Sequence, residues 1–156
     1  MRAIVRKTVR SIALLSIMAA FACADAHDDV IDVLTNMAGA LSETGDRAVT
    51  RTANVSKFMS AISNDMPDYD TLENNVTALV DSADVSSSIL PLTEDGNDQM
   101  YKIDLDWLLE IRSLEPAGPL VRRREVVHCE LRKEKKKWKV VALKPIEFFA
   151  AANLGK

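Results

Sequence analysis

Histidine, cysteine and aromatic residues are all scarce in this chain of 156 residues, which holds two His, two Cys, four Phe, two Trp and two Tyr. His27 and His128 lie far apart. The one cysteine beside either, Cys129, alternates away from His128 in an extended segment. With no second ligand at metal spacing, neither a metal nor any other cofactor is expected. No Gly-x-Ser-x-Gly occurs, and Ser86-Ser87-Ser88 reads as a strand with solvated hydroxyls, so the usual serine nucleophile pattern is missing. Glycine and proline number five each, beside 47% hydrophobic and 28% charged residues, which excludes collagenous and disordered chains. No internal repeat or low-complexity linker appears. The length supports one domain with an adequate core and excludes two.

A cation excess is also missing, with 20 Lys and Arg against 23 Asp and Glu. The first 26 residues carry Arg2, Arg6, Lys7, Arg10 and Asp25, so the remainder holds 16 against 22, a net charge of −6. That balance argues against binding nucleic acid or an anionic membrane, because counterion release from phosphates needs clustered cations. Arg122-Arg123-Arg124 is no single patch, since alternation splits it between two faces, and Lys133 with Lys135 to Lys137 reads as a solvated hairpin tip. Residues 1–26 have the build of a secretory signal: a basic start, an apolar run from Ser11 to Ala22, and small residues ending Ala24-Asp25-Ala26. The run has 12 residues, short of the about 20 that span a bilayer. An exported protein, periplasmic or secreted, is therefore expected, cleaved after Ala26. The alternative is a lipoprotein acylated on Cys23, whose Ala20-Phe21-Ala22-Cys23 context resembles an acylation site, and only then a membrane association. After cleavage Cys129 stands alone, so no intramolecular disulfide is available and the fold must rest on its core. Cys129 itself reads as a small apolar strand residue.

Apolar residues recur at helical spacing in three stretches. Val30, Ile31, Leu34, Met37, Ala38 and Leu41 predict a helix over Asp28 to Glu43, stopped by Thr44-Gly45. Val55, Phe58, Met59 and Ile62 predict a second from about Asp46, closing before Met66-Pro67. A third opens at Asp70 with Glu73 in a capping-box position and carries Leu72, Val76, Leu79, Val80 and Ala83. From Asp84 the period changes to two. Val85 to Thr93 predicts a strand ending in a turn over Thr93 to Asp98. Gln99 to Arg112 follows, with Tyr101, Ile103, Leu105, Trp107, Leu109 and Ile111 on one face and mostly charged residues on the other. After the two-proline loop Glu115 to Pro119, Val121 to Lys133 and Lys137 to Phe148 predict a second hairpin around Glu134-Lys135-Lys136. The last residues, 150–156, are expected to fray. Three one-sided helices followed by four long strands predict an α+β domain over residues 27–149, its curved, mainly antiparallel sheet wrapped against a helical layer.

That order, that length and the ending Lys137-Trp138-Lys139-Val140-Val141-Ala142-Leu143-Lys144-Pro145-Ile146-Glu147-Phe148-Phe149 resemble the nuclear transport factor 2-like superfamily, the cystatin-like cone. The resemblance implies a cone-shaped half-barrel enclosing a pocket and frequent dimerisation through the sheet's outer surface. It does not imply one function, since the fold hosts isomerases, dehydratases, cyclases and non-catalytic binding modules. Enzymes of that kind often place an acid and a Tyr, His or second acid in the apolar cone, where burial raises the carboxyl pKa.

The Tyr101 to Ile111 face holds no acid. Extending the Val127-Cys129-Leu131 face backward reaches Glu125 and Arg123, a potential general base and anion contact at the pocket mouth, or a rim ion pair. Tyr101 and Trp107 are the candidates for lining a small apolar ligand, or for packing on the helices. Asp104, Asp106 and Glu110 on the wet face are placed to pair with Arg122, Arg124 or Arg132, a ladder suited to a polar dimer interface. The reading that results is an exported, non-catalytic ligand-binding or assembly module of the bacterial cell envelope with an apolar pocket. Two others stay open: a small-molecule isomerase, dehydratase or hydrolase using Glu125 with Arg123 or Tyr101, and a homodimeric scaffold whose pocket is filled by its own aromatics.

Overall fold

The computed structural model describes residues 15–42 and 47–152, with side-chain surroundings for 26–42 and 50–152. The basic start of the leader, the Thr44-Gly45 stop and the last four residues of the tail lie outside the described residues. Three helices, α1 (Leu15–Ala40), α2 (Arg47–Ser60) and α3 (Tyr69–Ser82), precede strands β1 (Ala83–Gly96), β2 (Met100–Ser113), β3 (Leu120–Glu134) and β4 (Lys137–Lys144), and a 3-10 helix (Ile146–Phe149) closes the chain. The strands pair in chain order, all antiparallel. The result is the expected α+β domain, a curved open sheet with helices on its inner face.

The helical stripes are the buried ones. Val30, Leu34, Met37 and Leu41, then Phe58 and Met59, then Leu72, Val76, Leu79 and Val80 meet the inner face of the sheet. Each such side chain contributes about 1.5–3 kcal/mol when fully buried, which isolated helices of this length lack. The β2 alternation holds at every position: Tyr101, Ile103, Leu105, Trp107, Leu109 and Ile111 are all buried. Cys129 is buried as well, between Val127 and Leu131. The segment leaving α2 lies along β4, where Val140 N donates to Ala61 O at 2.9 Å and Ser63 N donates to Val140 O at 2.8 Å. That contact covers an edge that would otherwise present unpaired backbone.

Several boundaries differ from expectation. Helix α1 starts at Leu15, before Asp28, because the preceding Leu, Met and Ala residues are strong helix formers, and it runs through Ala24-Asp25-Ala26. No helix among the described residues is long and apolar enough to cross a membrane. The Asp70 capping box does not form. Helix α3 begins at Tyr69, and its N-cap Asp68 is left-handed at φ 66° without a side-chain cap bond, which leaves Asp70 in the first turn as a partner for the helix dipole. Strand β4 ends at Lys144, short of Phe148, because Pro145 has no N–H to donate to a ladder. Strand β1 extends to Gly96, and the turn tightens to Asn97 to Met100, where Asn97 Oδ1 accepts from Gln99 N and Met100 N at 2.9 and 3.0 Å. Between Pro91 and Thr93 the β1 register shifts by a bulge that leaves Leu92 unpaired.

Candidate functional site

The interior of the sheet is filled around Trp107. Its ring meets Phe149 at 5.0 Å and Phe148 at 6.3 Å, and Phe149 meets Phe58 of α2 at 5.5 Å, all edge to face. Both phenylalanines arrive because the chain folds back after Pro145. The polar end of Trp107 is also satisfied: Nε1 donates to Ser87 Oγ at 2.8 Å. Ser87 is held in turn from α1's end, its N–H donating to Ser42 Oγ at 2.7 Å. Reading Ser86 to Ser88 as solvated hydroxyls holds for exposed Ser86 and Ser88 but not for Ser87, which shares the inner face with Val85 and Ile89.

Arg123 and Glu125 lie at this same end. Arg123 Nη1 donates to Phe148 O at 2.5 Å and Ala150 O at 2.7 Å, so its guanidinium clamps the 3-10 helix over the core. Glu125 stands opposite Trp107 in the β2–β3 register, is exposed, and makes no ion pair among the described residues. Tyr101 belongs elsewhere. It lies six residues along β2 from Trp107, about 20 Å in an extended strand, so the four residues singled out from sequence form two groups.

Tyr101 organises the second group. Its hydroxyl donates to Glu94 Oε2 at 2.9 Å, and His27 Nδ1 lies 2.8 Å from the same oxygen and 3.2 Å from the Tyr101 hydroxyl. Its ring meets Trp138 at 6.2 Å, edge to face. An imidazole, a phenol and a carboxylate thus converge within proton-transfer distance, half-exposed at His27 and Glu94. By sequence Glu94 falls in the turn expected over Thr93 to Asp98, and His27 at the start of the chain expected after cleavage at Ala26. Simple alternation from Val85 would send Glu94 outward, and the Leu92 bulge reverses the parity and turns it inward. Gly96 sits against this group, since a Cβ there would lie 2.5 Å from Tyr101 Cδ2.

The outer face carries the predicted ladder. Arg124 Nε donates to Asp106 Oδ1 at 2.8 Å, Arg122 Nε to Glu110 Oε1 at 2.7 Å, and Lys102 Nζ lies 3.1 Å from Glu130 Oε1. Asp104 takes a 2.6 Å bond with His128 Nδ1 and one from Thr93 Oγ1 at 2.8 Å, while Arg132 pairs within its strand with Glu134. The bond with His128, then that from Thr93, holds the Asp104 carboxyl below its ordinary range, and the Arg124 bonds do the same for Asp106. Among these charges Leu90 and Val126 are 59% and 41% exposed and flank Asp106 in the register, with half-buried Leu108 two residues further along β2. On the inner face burial pushes the Cys129 thiol well up, with the nearby Asp104 charge adding to it, so the thiol stays protonated and inert.

No family model matches the sequence, and no curated protein does. Solved structures do match in shape. A nuclear transport factor 2-like protein with a cystatin-like fold from Novosphingobium aromaticivorans aligns at TM-score 0.57 and 7% identity, over 85% of this chain and 89% of that one. A protein of unknown function with a cystatin-like fold from Nostoc punctiforme gives 0.54 and 13%, over 75% and 86%. A conserved protein from Planctomyces limnophilus gives 0.59 and 10%, over 77% and 93%. The fold is the nuclear transport factor 2-like cone.

At identities this low the shared property is the fold, and the fold by itself assigns no function. In this cone the Trp107 end is closed by the protein's own aromatics, and the polar group at Tyr101 lies at the other end. A cleft of about 590 Å³ opens elsewhere, between α1, the end of α2 and the β3–β4 hairpin.

Proposed function

We propose that this protein is an exported, non-catalytic assembly module of the bacterial cell envelope that works as a homodimer through the outer face of its sheet. The observation that supports this reading is the outer face itself, where exposed Leu90 and Val126 are surrounded by charges already paired with one another. Covering an unpaired charge is costly, whereas internally neutralised pairs allow a second copy to remove the apolar centre from water without stranding a charge. The filled cone at Trp107 fits the same reading, because an assembly module has no need of an open interior. Export rests on the leader, with its basic start, apolar run and Ala24-Asp25-Ala26. Sedimentation equilibrium on the purified protein tests the dimer: a two-copy mass is expected, reduced to one copy by Leu90→Asp with Val126→Asp. A single-copy mass for the unmodified protein at high micromolar concentration overturns it.

The enzyme reading has one observation in its favour, the convergence of Tyr101, Glu94 and His27. In that reading Glu94 takes the place first given to Glu125 as the base of a small-molecule isomerase or dehydratase. Turnover lost in Glu94→Gln and retained in Glu125→Gln would establish it.

A further inference from the structure

Four ion pairs join β2 to β3 on the outer face: Glu110 with Arg122, Asp106 with Arg124, Asp104 with His128, and Lys102 with Glu130. Three of them use Lys or Arg, whose charge is permanent near neutral pH. The fourth acid is paired with an imidazole, and imidazole is the one ordinary side chain that gains or loses its charge between pH 5 and 8. Both oxygens of Asp104 are engaged. Its Oδ1 lies 2.6 Å from His128 Nδ1, and its Oδ2 accepts from Thr93 Oγ1 at 2.8 Å. Of these two partners only His128 can bring a positive charge.

The pair sits beside the apolar centre of the face. Asp104 and His128 are opposite each other in the register, and the next outward rung is Asp106 opposite Val126, with Leu90 on the other side of Asp106. The remaining charges around His128 are fixed. Lys102, Asp106 and Glu130 each have an ion pair of their own. Lys144 of β4 stands opposite His128, and Asp95 of β1 stands opposite Lys102. Both are exposed and form no ion pair among the described residues. All five keep their charges between pH 5 and 8, and Lys144 and Asp95, being of opposite sign, leave the balance to His128.

We propose that dimerisation through the outer face is gated by protonation of His128, the dimer being tight when the imidazole is charged and weak when it is neutral. The inference rests on the dimer proposed above. With His128 charged, every acid of the β2–β3 ladder is neutralised when a second copy covers it. With His128 neutral, the two copies bring two Asp104 carboxylates whose charge nothing in the ladder offsets, and removing water from them is costly. Asp104 stays a carboxylate throughout this range, because its bonds hold it below its ordinary value. Association therefore takes up a proton at each neutral His128, and by reciprocity acidification from about pH 8 to about pH 5.5 favours the dimer.

The test is sedimentation equilibrium of the purified protein at about pH 5.5 and about pH 8, at one ionic strength, with His128→Arg and His128→Gln beside it. His128 is exposed, so neither substitution enters the core. The unmodified protein is expected to dimerise at least about tenfold more tightly at the lower pH. His128→Arg, which sets a permanent cation on Asp104, should be tight at both values, and His128→Gln weak at both. Equal dissociation constants for the unmodified protein at the two pH values overturn the gate and leave the dimer standing. A pH dependence that persists in His128→Gln also overturns the gate, since another group must then carry it. A one-copy mass at both pH values up to high micromolar concentration removes the dimer and the gate with it.

Discussion

Trp107 Nε1 donates to Ser87 Oγ across 2.8 Å, joining the largest buried side chain of β2 to a hydroxyl of the neighbouring edge strand. The bond lets an indole sit fully inside the cone with no unmet donor, which is what allows Phe148 and Phe149 to close over it.

Ser87→Ala should therefore destabilise the protein by about 1–3 kcal/mol, the cost of a buried donor left unpaired. Ser86→Ala, one residue along and exposed, should change stability by less than about 0.5 kcal/mol. Urea unfolding of both variants measures the difference, and equal effects would show that the Ser87 hydroxyl is not the acceptor.

Gly96→Ala should disturb the other end of the cone. Its Cβ would approach Tyr101 Cδ2 to 2.5 Å and Met100 O to 2.7 Å, and the backbone oxygen cannot move freely. Overpacking of this kind costs about 1–3 kcal/mol. Displacement of the Tyr101 ring should also lengthen its bond to Glu94, and a changed Tyr101 ring environment in the aromatic proton spectrum would report it.

Acid should weaken the outer face in a defined direction. The carboxyls of Asp104 and Asp106 are held below their ordinary values by bonds with His128 and Arg124. Folded values below unfolded ones mean that the contribution is full above the unfolded pKa of about 3.9 and is lost as pH falls through the folded values. Thermal melts between pH 5 and 2 should show the loss concentrated below about pH 4. Asp106→Asn should flatten that decline, and an unchanged slope would count against the pairing.

The Cys129 thiol should be silent in the native state. Burial, aided by the Asp104 charge, raises its pKa far above neutrality, so thiolate is essentially absent and a disulfide reagent has no path to it. In a Cys23→Ser background, labelling at neutral pH should follow urea unfolding, and rapid labelling of the folded protein would contradict the buried placement.

Local periodicity is enough to read most of the architecture. The β2 alternation from Tyr101 to Ile111 and the stripes of Leu34, Phe58 and Leu72 depend only on side-chain spacing, because a helix or strand must turn its apolar residues to one side wherever it packs. The charge ladder is legible for the same reason, since Asp106 and Glu110 alternate to the wet face with Arg122 and Arg124.

Tertiary structure decided what spacing cannot carry. The Leu92 bulge adds one unpaired residue to β1, and that single residue turns Glu94 from the outer face to the inner one, beside Tyr101 and His27. Pro145 ends β4, yet the contact of Phe148 and Phe149 with Trp107 joins residues about 40 apart in the chain, which no local spacing specifies. Arg123 found two carbonyl oxygens of that returning segment, 25 and 27 residues away in sequence. Which face a residue occupies is therefore a property of its own strand, determined by local sterics, whereas the partner it meets depends on bulges and chain reversals whose free energy is summed over the whole core.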